Sequence, residues 1–296
     1  MILITAAHGN QGRLLIPKFK EAGIPVRALR STAGRDRELH DLGASEVVTG
    51  DCADRAVLRR ALQGIETIYH IGPSAHPHER EMGLAMVDIA REFGVKHVIF
   101  SSVLHPVISK LIQHKVKRDV EEHLIESGLN FTILQPSDYM LPLLLKPAFE
   151  TGVFELSWDL NRRQAMIDLH DFADVVVKIA REGEIHYGAT YELTAPGAYS
   201  AHDIGAAIKA VTGLAIKVKQ VTPDAYLNSF YGPDVREEFR HQYAVFRAIG
   251  LWYSQYDFVG NANVLTWLLG RAPTSLEAFI AREWQNHRAR ATAVEP

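Results

Sequence analysis

The chain has 296 residues, of which 47% are hydrophobic and 23% charged, so its composition excludes disorder as a description of the whole chain. Its formal net charge of −3 excludes the global basic field that attracts nucleic acid. The single cysteine, Cys52, excludes an intramolecular disulfide. With no signal-peptide pattern after Met1 and no apolar run of membrane-spanning length, these features predict a cytoplasmic protein.

Short apolar runs alternate with helical patterns over the first 135 residues, which is typical of βαβ units. Strands are predicted at Met1–Thr5, Val26–Arg30, Glu46–Thr49, Thr67–Ile71, His97–Ser101, Phe131–Leu134 and Tyr191–Thr194. Helices are predicted at Asn10–Ala22, around Leu39 and Leu42, and at Arg55–Gln63, Glu79–Phe93, Ile108–Ser127 and Asp171–Glu182. The strands are nearly continuous apolar runs, as expected when both faces are covered. The predicted fold class is α/β, with a Rossmann-type, doubly wound parallel sheet.

After Gly197 the pattern changes to helices with few strands, of which Asp203–Thr212 and Leu276–Trp284 are the clearest helices. We therefore expect a nucleotide-binding domain over 1–135 plus about 165–195. A smaller, mainly helical substrate domain is expected over 196–296 plus about 136–164. The polar tail Asn286–Pro296 is expected to fray.

The sharpest motif is the turn after the first strand, where glycines stand at positions 9 and 12 in front of an amphipathic helix. Gly9 lets the backbone approach a pyrophosphate, and Gly12 lets the helix pack tightly on the strand. Free N–H groups and the helix dipole favour an anion at this helix N-terminus. Gly9, Asn10, Gln11 and Gly12 are therefore predicted to bind the phosphates of a dinucleotide.

The end of the second strand indicates which dinucleotide binds. NAD-preferring domains place an acidic residue there, but this chain has Arg30-Ser31-Thr32 and no acid before Asp36. Arg30 is placed to bind the 2′-phosphate of NADP(H), with the hydroxyls after it as further donors. Arg35 or Arg37 are candidate helpers. The alternative is that Arg30 is only a solvated arginine after a strand.

The stretch from Ile2 to Gly12 resembles the ILVTGATGNQG opening of the NmrA-like branch of the atypical short-chain dehydrogenase/reductase superfamily. It departs at Ala6, where the family has its first glycine, and at His8, where the family has threonine. Later segments match in order: Gly50-Asp51, Ser101-Ser102, Lys117 with Val120-Glu121, Gln135-Pro136, Tyr191–Pro196 and Trp267–Arg271. The resemblance covers almost the whole chain.

The resemblance implies further cofactor contacts along the carboxyl edge of the sheet. Asp51 and Cys52, after the third strand, would lie beside the adenine. Gly72 and Pro73, after the fourth strand, would flank the ribose and the nicotinamide. Pro136 belongs to a matching segment and is assigned to the same site.

Short-chain reductases use Tyr-x-x-x-Lys, in which tyrosine is the acid/base and lysine binds the ribose. Of Lys115 and Lys117, only Lys117 is followed three positions later by an apolar residue, as in the superfamily. Four residues before it stands Gln113, which has no proton to exchange near neutral pH. The candidate substitutes for the missing tyrosine are Ser102, His105, His114, Tyr139 and Lys117 itself. Histidine titrates in the useful range, although a histidine on a loop or a helix surface is usually just a solvated residue.

A group of aromatic residues in the predicted second domain favours a flat, apolar substrate, or else forms a small core or a dimer face. The group comprises Phe230, Tyr231, Phe239, Tyr243, Phe246, Trp252, Tyr253, Tyr256 and Phe258. No metal is expected, since His76 and His78 lack a third ligand at fixed spacing. The expected partner is a small-molecule substrate, with no direct contact to nucleic acid or membrane, and the chain is a monomer or a homodimer.

Three functions remain open at this point. The first is an NADPH-dependent oxidoreductase acting on a small apolar or aromatic carbonyl, enone or quinone compound. The second is a non-catalytic, NADP(H)-sensing regulator, which Gln113 and Ala6 favour. The third is a non-redox dehydratase or isomerase on the same scaffold.

Overall fold

The computed structural model describes residues 1–32, 34 and 36–294, without the side chains of residues 230, 293 and 294. Its strands are β1 Ile2–Ile4, β2 Val26–Arg30, β3 Glu46–Thr49, β4 Thr67–Ile71, β5 His97–Ser101, β6 Phe131–Pro136, β7 Asp138–Met140, β8 Val153–Leu156, β9 Met166–Asp168, β10 Ala189–Leu193 and β11 Lys217–Gln220. Its α-helices are α1 Asn10–Glu21, α2 Asp36–Leu42, α3 Arg55–Leu62, α4 Glu79–Glu92, α5 Ile112–Glu126, α6 Pro142–Thr151, α7 Leu169–Glu182, α8 Ala201–Thr212, α9 Pro223–Tyr231, α10 Arg240–Tyr253, α11 Asn263–Leu269 and α12 Leu276–Val294.

Seven strands form one sheet in the order β3-β2-β1-β4-β5-β6-β10. Strands β1 to β6 pair in parallel, and Ile4 of β1 lies between Ala28 of β2 and Tyr69 of β4. The strand order reverses between β1 and β4, and open α/β sheets bind ligands beyond the carboxyl ends of strands at such a point. The predicted α/β fold with a Rossmann-type parallel sheet is therefore confirmed.

The sheet is held by a core of apolar side chains between its strands and the helices that cover it. Leu3, Ile68 and Val98 contribute to this core from β1, β4 and β5, and all three are buried. Ile89 of α4 and Val120 of α5 pack in the same cluster. Full burial of each such side chain contributes roughly 1.5–3 kcal/mol relative to exposure, which explains why the strand sequences are almost continuously apolar.

The chain divides into two compact units, which we call unit 1 and unit 2. Unit 1 consists of Met1–Pro136 and Phe172–Glu192. Unit 2 consists of Ser137–Asp171 and the described residues from Leu193 onward. Residues 165–171, which the sequence places in the nucleotide-binding domain, fall in unit 2, because β9 pairs with β7.

Unit 2 is mainly helical but contains two small parallel pairs, β7 with β9 and β8 with β11. Its last helix, α12, continues to Val294, so the prediction of a frayed tail is wrong for residues 286–294, and residues 295–296 lie outside the described part. The helix is held beyond Trp284 because that indole stacks on the ring of His287 at 5.6 Å and meets Phe149 edge-on at 5.1 Å.

Helix α5 begins at Ile112, four residues later than predicted. The preceding residues are held in tight turns, since the Ile108 N–H donates to the His105 carbonyl and the Leu111 N–H donates to the Ile108 carbonyl. No helix in the described part of the chain is both long and apolar enough to cross a membrane.

Candidate cofactor and active site

The turn between β1 and α1 has the backbone geometry of an anion site. Gly9 is the residue before the helix and has an extended backbone, with no side chain capping the helix and no acidic residue in the first turn. The first N–H groups of an α-helix have no partner within the helix, so they and the dipole suit a phosphate. Ala6, at the position of the family's first glycine, has a left-handed φ of 45°.

Gly12 is the glycine that the packing of α1 requires. A Cβ atom at this position would lie 2.6 Å from the carbonyl carbon of Ala7, in backbone that cannot move away. A Cβ at Gly9 would meet only the carbonyl oxygen of Ala6, at 3.2 Å. The Gln11 side chain accepts a hydrogen bond of 2.6 Å from the Tyr69 hydroxyl, which ties the first turn of α1 to β4.

Arg30 lies at the end of β2 and is only 4% exposed. Its Nη1 lies 3.3 Å from Asp36 Oδ1, and its Nε is buried without a hydrogen-bond partner among the described residues. The Thr49 hydroxyl also donates to Asp36 Oδ1, at 3.3 Å. Arg37 is almost fully exposed, and Arg35 lies outside the described residues. Arg30 therefore fits a 2′-phosphate, but a carboxylate that the sequence did not predict already pairs with it.

A second ion cluster joins α2 to the glycine turn. His8 Nε2 lies 3.0 Å from Glu38 Oε2, and Arg13 of α1 contacts the other carboxylate oxygen. Hydrogen bonds from His8 and then Arg13 lower the pKa of Glu38 below its usual range. His8, which replaces the family's threonine, thus links the turn to α2.

The residues predicted beside the adenine differ in accessibility. Asp51 is exposed, and its Oδ1 accepts a hydrogen bond of 2.8 Å from the Ala53 N–H. Cys52 packs against the hydrophobic core, and burial, with a smaller effect of Asp51, raises the pKa of its thiol to about 11. A thiol with this pKa is protonated at neutral pH, so Cys52 is a packing residue and not a nucleophile.

Lys117 is buried at the carboxyl end of the sheet, where it forms an ion pair that the sequence did not predict. Its Nζ lies 2.8 Å from Oε1 of Glu79, a residue in the first turn of α4 that is itself buried. The same Nζ donates to the Ser101 carbonyl at 3.3 Å and lies 5.4 Å from the centre of the Phe100 ring. A buried lysine is stable when a carboxylate compensates its charge in this way.

Gly72 leaves room for this ion pair. A Cβ there would lie 2.6 Å from Glu79 Oε1 and 2.9 Å from Lys117 Nζ. His70, in β4, stacks on Phe100, and burial together with the Lys117 charge lowers its pKa to about 3. His70 is therefore neutral at pH 7, so the Glu79 carboxylate compensates the charge of Lys117 and not a charge on His70. Pro73 follows Gly72 and is half-buried.

Ser102 and Glu121 meet beneath the end of β5. Both are buried, and the two Glu121 oxygens accept hydrogen bonds of 3.0 and 3.1 Å from Gln135 Nε2. Burial raises the pKa of Glu121, against the opposing effects of the nearby Ser102 hydroxyl and of the Gln135 hydrogen bonds. The hydroxyl of Ser102 is buried and makes no hydrogen bond to the described residues.

The two histidines proposed as acids have different surroundings. His114 is 1% exposed, and its Nδ1 donates to the His105 carbonyl at 3.0 Å. Burial lowers the pKa of His114 to about 4, so its imidazole is neutral at pH 7 and does not serve as an acid there. His105 is half-buried with a left-handed φ of 55°, and its Nδ1 lies 3.9 Å from Glu192 Oε1. The amide oxygen of Gln113 is buried without a partner among the described residues.

The remaining predicted residues, Pro136 and Tyr139, lie at the end of β6 and in β7, which follows it directly. The Pro136 carbonyl accepts a hydrogen bond of 2.8 Å from the Leu104 N–H, and Tyr139 lies in β7, opposite Ile167 of β9. Within the described ranges, no three histidine, cysteine or carboxylate side chains come together as metal ligands.

Unit 2 contains a buried tyrosine–carboxylate pair that the sequence did not predict. The Tyr253 hydroxyl donates a 3.0 Å hydrogen bond to Asp138 Oδ1. Burial raises the pKa of Asp138 to about 7, although the Tyr253 hydrogen bond lowers it. Tyr253 belongs to the predicted aromatic group and packs on Phe258 at 5.4 Å and edge-on to Trp158 at 5.3 Å. The Phe230 side chain lies outside the described residues.

Comparison with known proteins assigns this chain to a family. The NmrA-like family model matches residues 1–280. An NAD(P)H azoreductase of Xenophilus azovorans is 27% identical over 226 residues, which cover 75% of this chain and 77% of the azoreductase.

Two solved structures share the fold over 96% of this chain and 100% of their own. The first is an NADPH-dependent quinone oxidoreductase of Escherichia coli in complex with NADPH, with a TM-score of 0.79 and 24% identity. The second is a triphenylmethane reductase of Citrobacter sp. in complex with NADP(H), with a TM-score of 0.78 and 19% identity. The azoreductase and both of these proteins are NAD(P)H-dependent reductases. The chain belongs to the NmrA-like family, as its N-terminal motif predicted.

Proposed function

We propose that the protein is an NADPH-dependent oxidoreductase that reduces a small, planar carbonyl, enone or quinone compound. The observation that carries the proposal is the phosphate turn at Gly9 and Gly12, followed by a buried arginine at the end of β2. The reductases among its relatives support the choice of reaction.

The residues present fit NADPH. The first turn of α1, from Asn10, would hold the pyrophosphate, and Arg30 would hold the 2′-phosphate. Bound NADPH supplies a hydride, so the chain itself has to position the substrate and provide a proton. Lys117 is tied to Glu79, and we assign it to positioning the ribose rather than to proton donation.

One observation favours a second candidate, a non-catalytic NADP(H)-sensing regulator. Gln113 stands where short-chain reductases carry the tyrosine that acts as acid and base, and Lys117 is already paired with the Glu79 carboxylate. A regulator would bind NADPH through the same turn but would not turn it over.

Two measurements on the purified protein separate these functions. Titration with NADPH should show saturable binding, which Gly9→Val should abolish while thermal melting shows that the variant is folded. Incubation of the wild type with NADPH and menadione, a planar quinone, should oxidise NADPH with stoichiometric loss of the quinone. Binding without turnover of menadione, an azo dye or a triphenylmethane dye would favour the regulator. Absence of NADPH binding would refute both functions.

A further inference from the structure

We propose that His8 and Arg13 are further ligands of the NADPH 2′-phosphate and that the Glu38 carboxylate competes with the phosphate for both of them. The inference rests on the proposed function, because it adds two ligands to the cofactor site. All three residues, like Arg30, belong to unit 1. His8 stands where the NmrA-like family has threonine, so this chain would bind the phosphate with a side chain that the family motif does not provide.

The glycine turn and the end of β2 lie side by side. The Ala7 N–H donates a 3.0 Å hydrogen bond to the Leu29 carbonyl. The next residue of each segment, His8 or Arg30, therefore leaves the sheet at a neighbouring position. Arg13 belongs to the first turn of α1, and its Nη1 lies 3.3 Å from His8 Nε2. Three basic side chains thus start from the same corner of the sheet.

The first turn of α2 contacts all three of these basic side chains. It carries two acidic residues, Asp36 and Glu38. Asp36 Oδ1 lies 3.3 Å from Arg30 Nη1. One Glu38 oxygen lies 3.0 Å from His8 Nε2, and the other contacts Arg13 Nη1. Because one turn of an α-helix rises only about 5.4 Å, the basic side chains are gathered around one small region.

The balance of charge in this cluster suits a phosphate. Two arginines and a histidine face two carboxylates. A phosphate monoester brings roughly −1.5 to −2 charges and three acceptor oxygens. Arg30 Nε is a buried donor without a partner among the described residues, on a side chain that is only 4% exposed. Buried polar atoms are paired in most proteins, so this donor indicates a ligand that bears acceptors.

Glu38 competes with the phosphate because it uses the same donors. Hydrogen bonds from His8 and then Arg13 lower the pKa of Glu38, so its carboxylate is ionised at neutral pH and repels a phosphate. The Glu38 side chain is 35% exposed, so it can turn toward solvent when the phosphate takes its place. His8 and Arg13 are also partly exposed, so their donors stay within reach of a ligand from solution.

The test measures the binding of four compounds to wild type, His8→Thr, Arg13→Gln and Glu38→Gln. NADPH and NADH are titrated by fluorescence. Adenosine 2′,5′-bisphosphate and adenosine 5′-monophosphate, which differ only in the 2′-phosphate and lack the nicotinamide, are titrated by calorimetry. His8→Thr and Arg13→Gln should each weaken NADPH and the bisphosphate roughly 3- to 10-fold, between the effect of an exposed ion pair and that of a hydrogen bond to a charged group. NADH and the monophosphate should change by less than about twofold.

Glu38→Gln keeps the shape of the side chain and removes its charge, so it should tighten NADPH and the bisphosphate roughly 2- to 5-fold. This gain should shrink when His8→Thr and Arg13→Gln are already present, because Glu38 then has neither donor to occupy. Arg91→Gln is the matched control. Arg91 is exposed in the last turn of α4, a helix that starts after the carboxyl end of β4 and so ends at the opposite edge of the sheet. This control should change none of the four affinities.

The outcomes separate this proposal from the proposed function. Equal weakening of NADPH and NADH in the His8 and Arg13 variants would mean that the cluster only holds the glycine turn in place, and it would overturn the proposal. Unchanged NADPH binding in these variants, or weaker NADPH binding in Glu38→Gln, would overturn it as well. In each of these cases the wild type still binds NADPH, so the proposed function stands. A wild type that does not bind NADPH overturns both together.

Discussion

Replacing Asp36 with asparagine should tighten the binding of NADPH and leave that of NADH nearly unchanged. The substitution keeps the shape of the side chain but removes the charge that lies 3.3 Å from Arg30 Nη1. A 2′-phosphate that binds Arg30 has to compete with this carboxylate and is repelled by it. NADH has no such phosphate and does not meet this competition.

The size of the effect follows from the exposure of Asp36, whose side chain is 51% exposed. In bulk water two unit charges about 4 Å apart interact by roughly 1 kcal/mol, and a solvent-exposed ion pair in a protein contributes about 0.2–1 kcal/mol. Removal of both the repulsion and the competing pair should therefore strengthen NADPH binding by about 1–2 kcal/mol, or about 5- to 30-fold in Kd. Arg30→Ala should have the opposite effect, a loss of about 1.5–3 kcal/mol for NADPH only.

Fluorescence titration with NADPH and NADH at two salt concentrations measures these changes. The gain in Asp36→Asn should shrink at high salt, because exposed charges are screened. Asp41→Asn is the matched control, since Asp41 is an exposed carboxylate on the same helix that pairs with Arg37. If Asp36→Asn tightened both cofactors equally, or weakened NADPH, then Arg30 would not be the 2′-phosphate ligand and the reasoning would fail.

Two further predictions concern packing and charge. Gly12→Ala should lower the free energy of unfolding by about 1–3 kcal/mol, because its Cβ overlaps the Ala7 backbone, and urea denaturation of Gly9→Ala, which meets a single atom at 3.2 Å, should show a smaller loss. Lys117→Ala should cost roughly 3–5 kcal/mol of stability by leaving the buried Glu79 carboxylate without a counter-ion, and adding Glu79→Gln should restore part of it. In kinetics, a raised KM for NADPH with unchanged kcat in the double variant supports positioning, whereas a large fall in kcat would assign chemistry to the lysine.

The sequence alone determined the parts of this protein that depend on local pattern. Mostly apolar runs predicted β2, β3, β4 and β5 with their observed bounds. A strand that is covered on both faces has to be apolar almost throughout, as β5 is, whereas β3 at the edge of the sheet is only half-buried. The spacing of the two glycines predicted the tight turn between β1 and α1, since only glycine at position 12 permits α1 to pack on the Ala7 backbone. The strands of unit 2 were missed because three or four residues show no measurable periodicity.

Only the tertiary structure decided which charged groups meet and how they titrate. Glu79 and Lys117 come from different helices, and Asp138 and Tyr253 are 115 positions apart, so no local pattern links either pair. His114 was predicted as an acid from its ordinary pKa, but burial lowers that pKa to about 4, whereas burial raises the pKa of Asp138 to about 7. Desolvation disfavours the charged form of both groups, and its extent depends on packing that brings distant segments together.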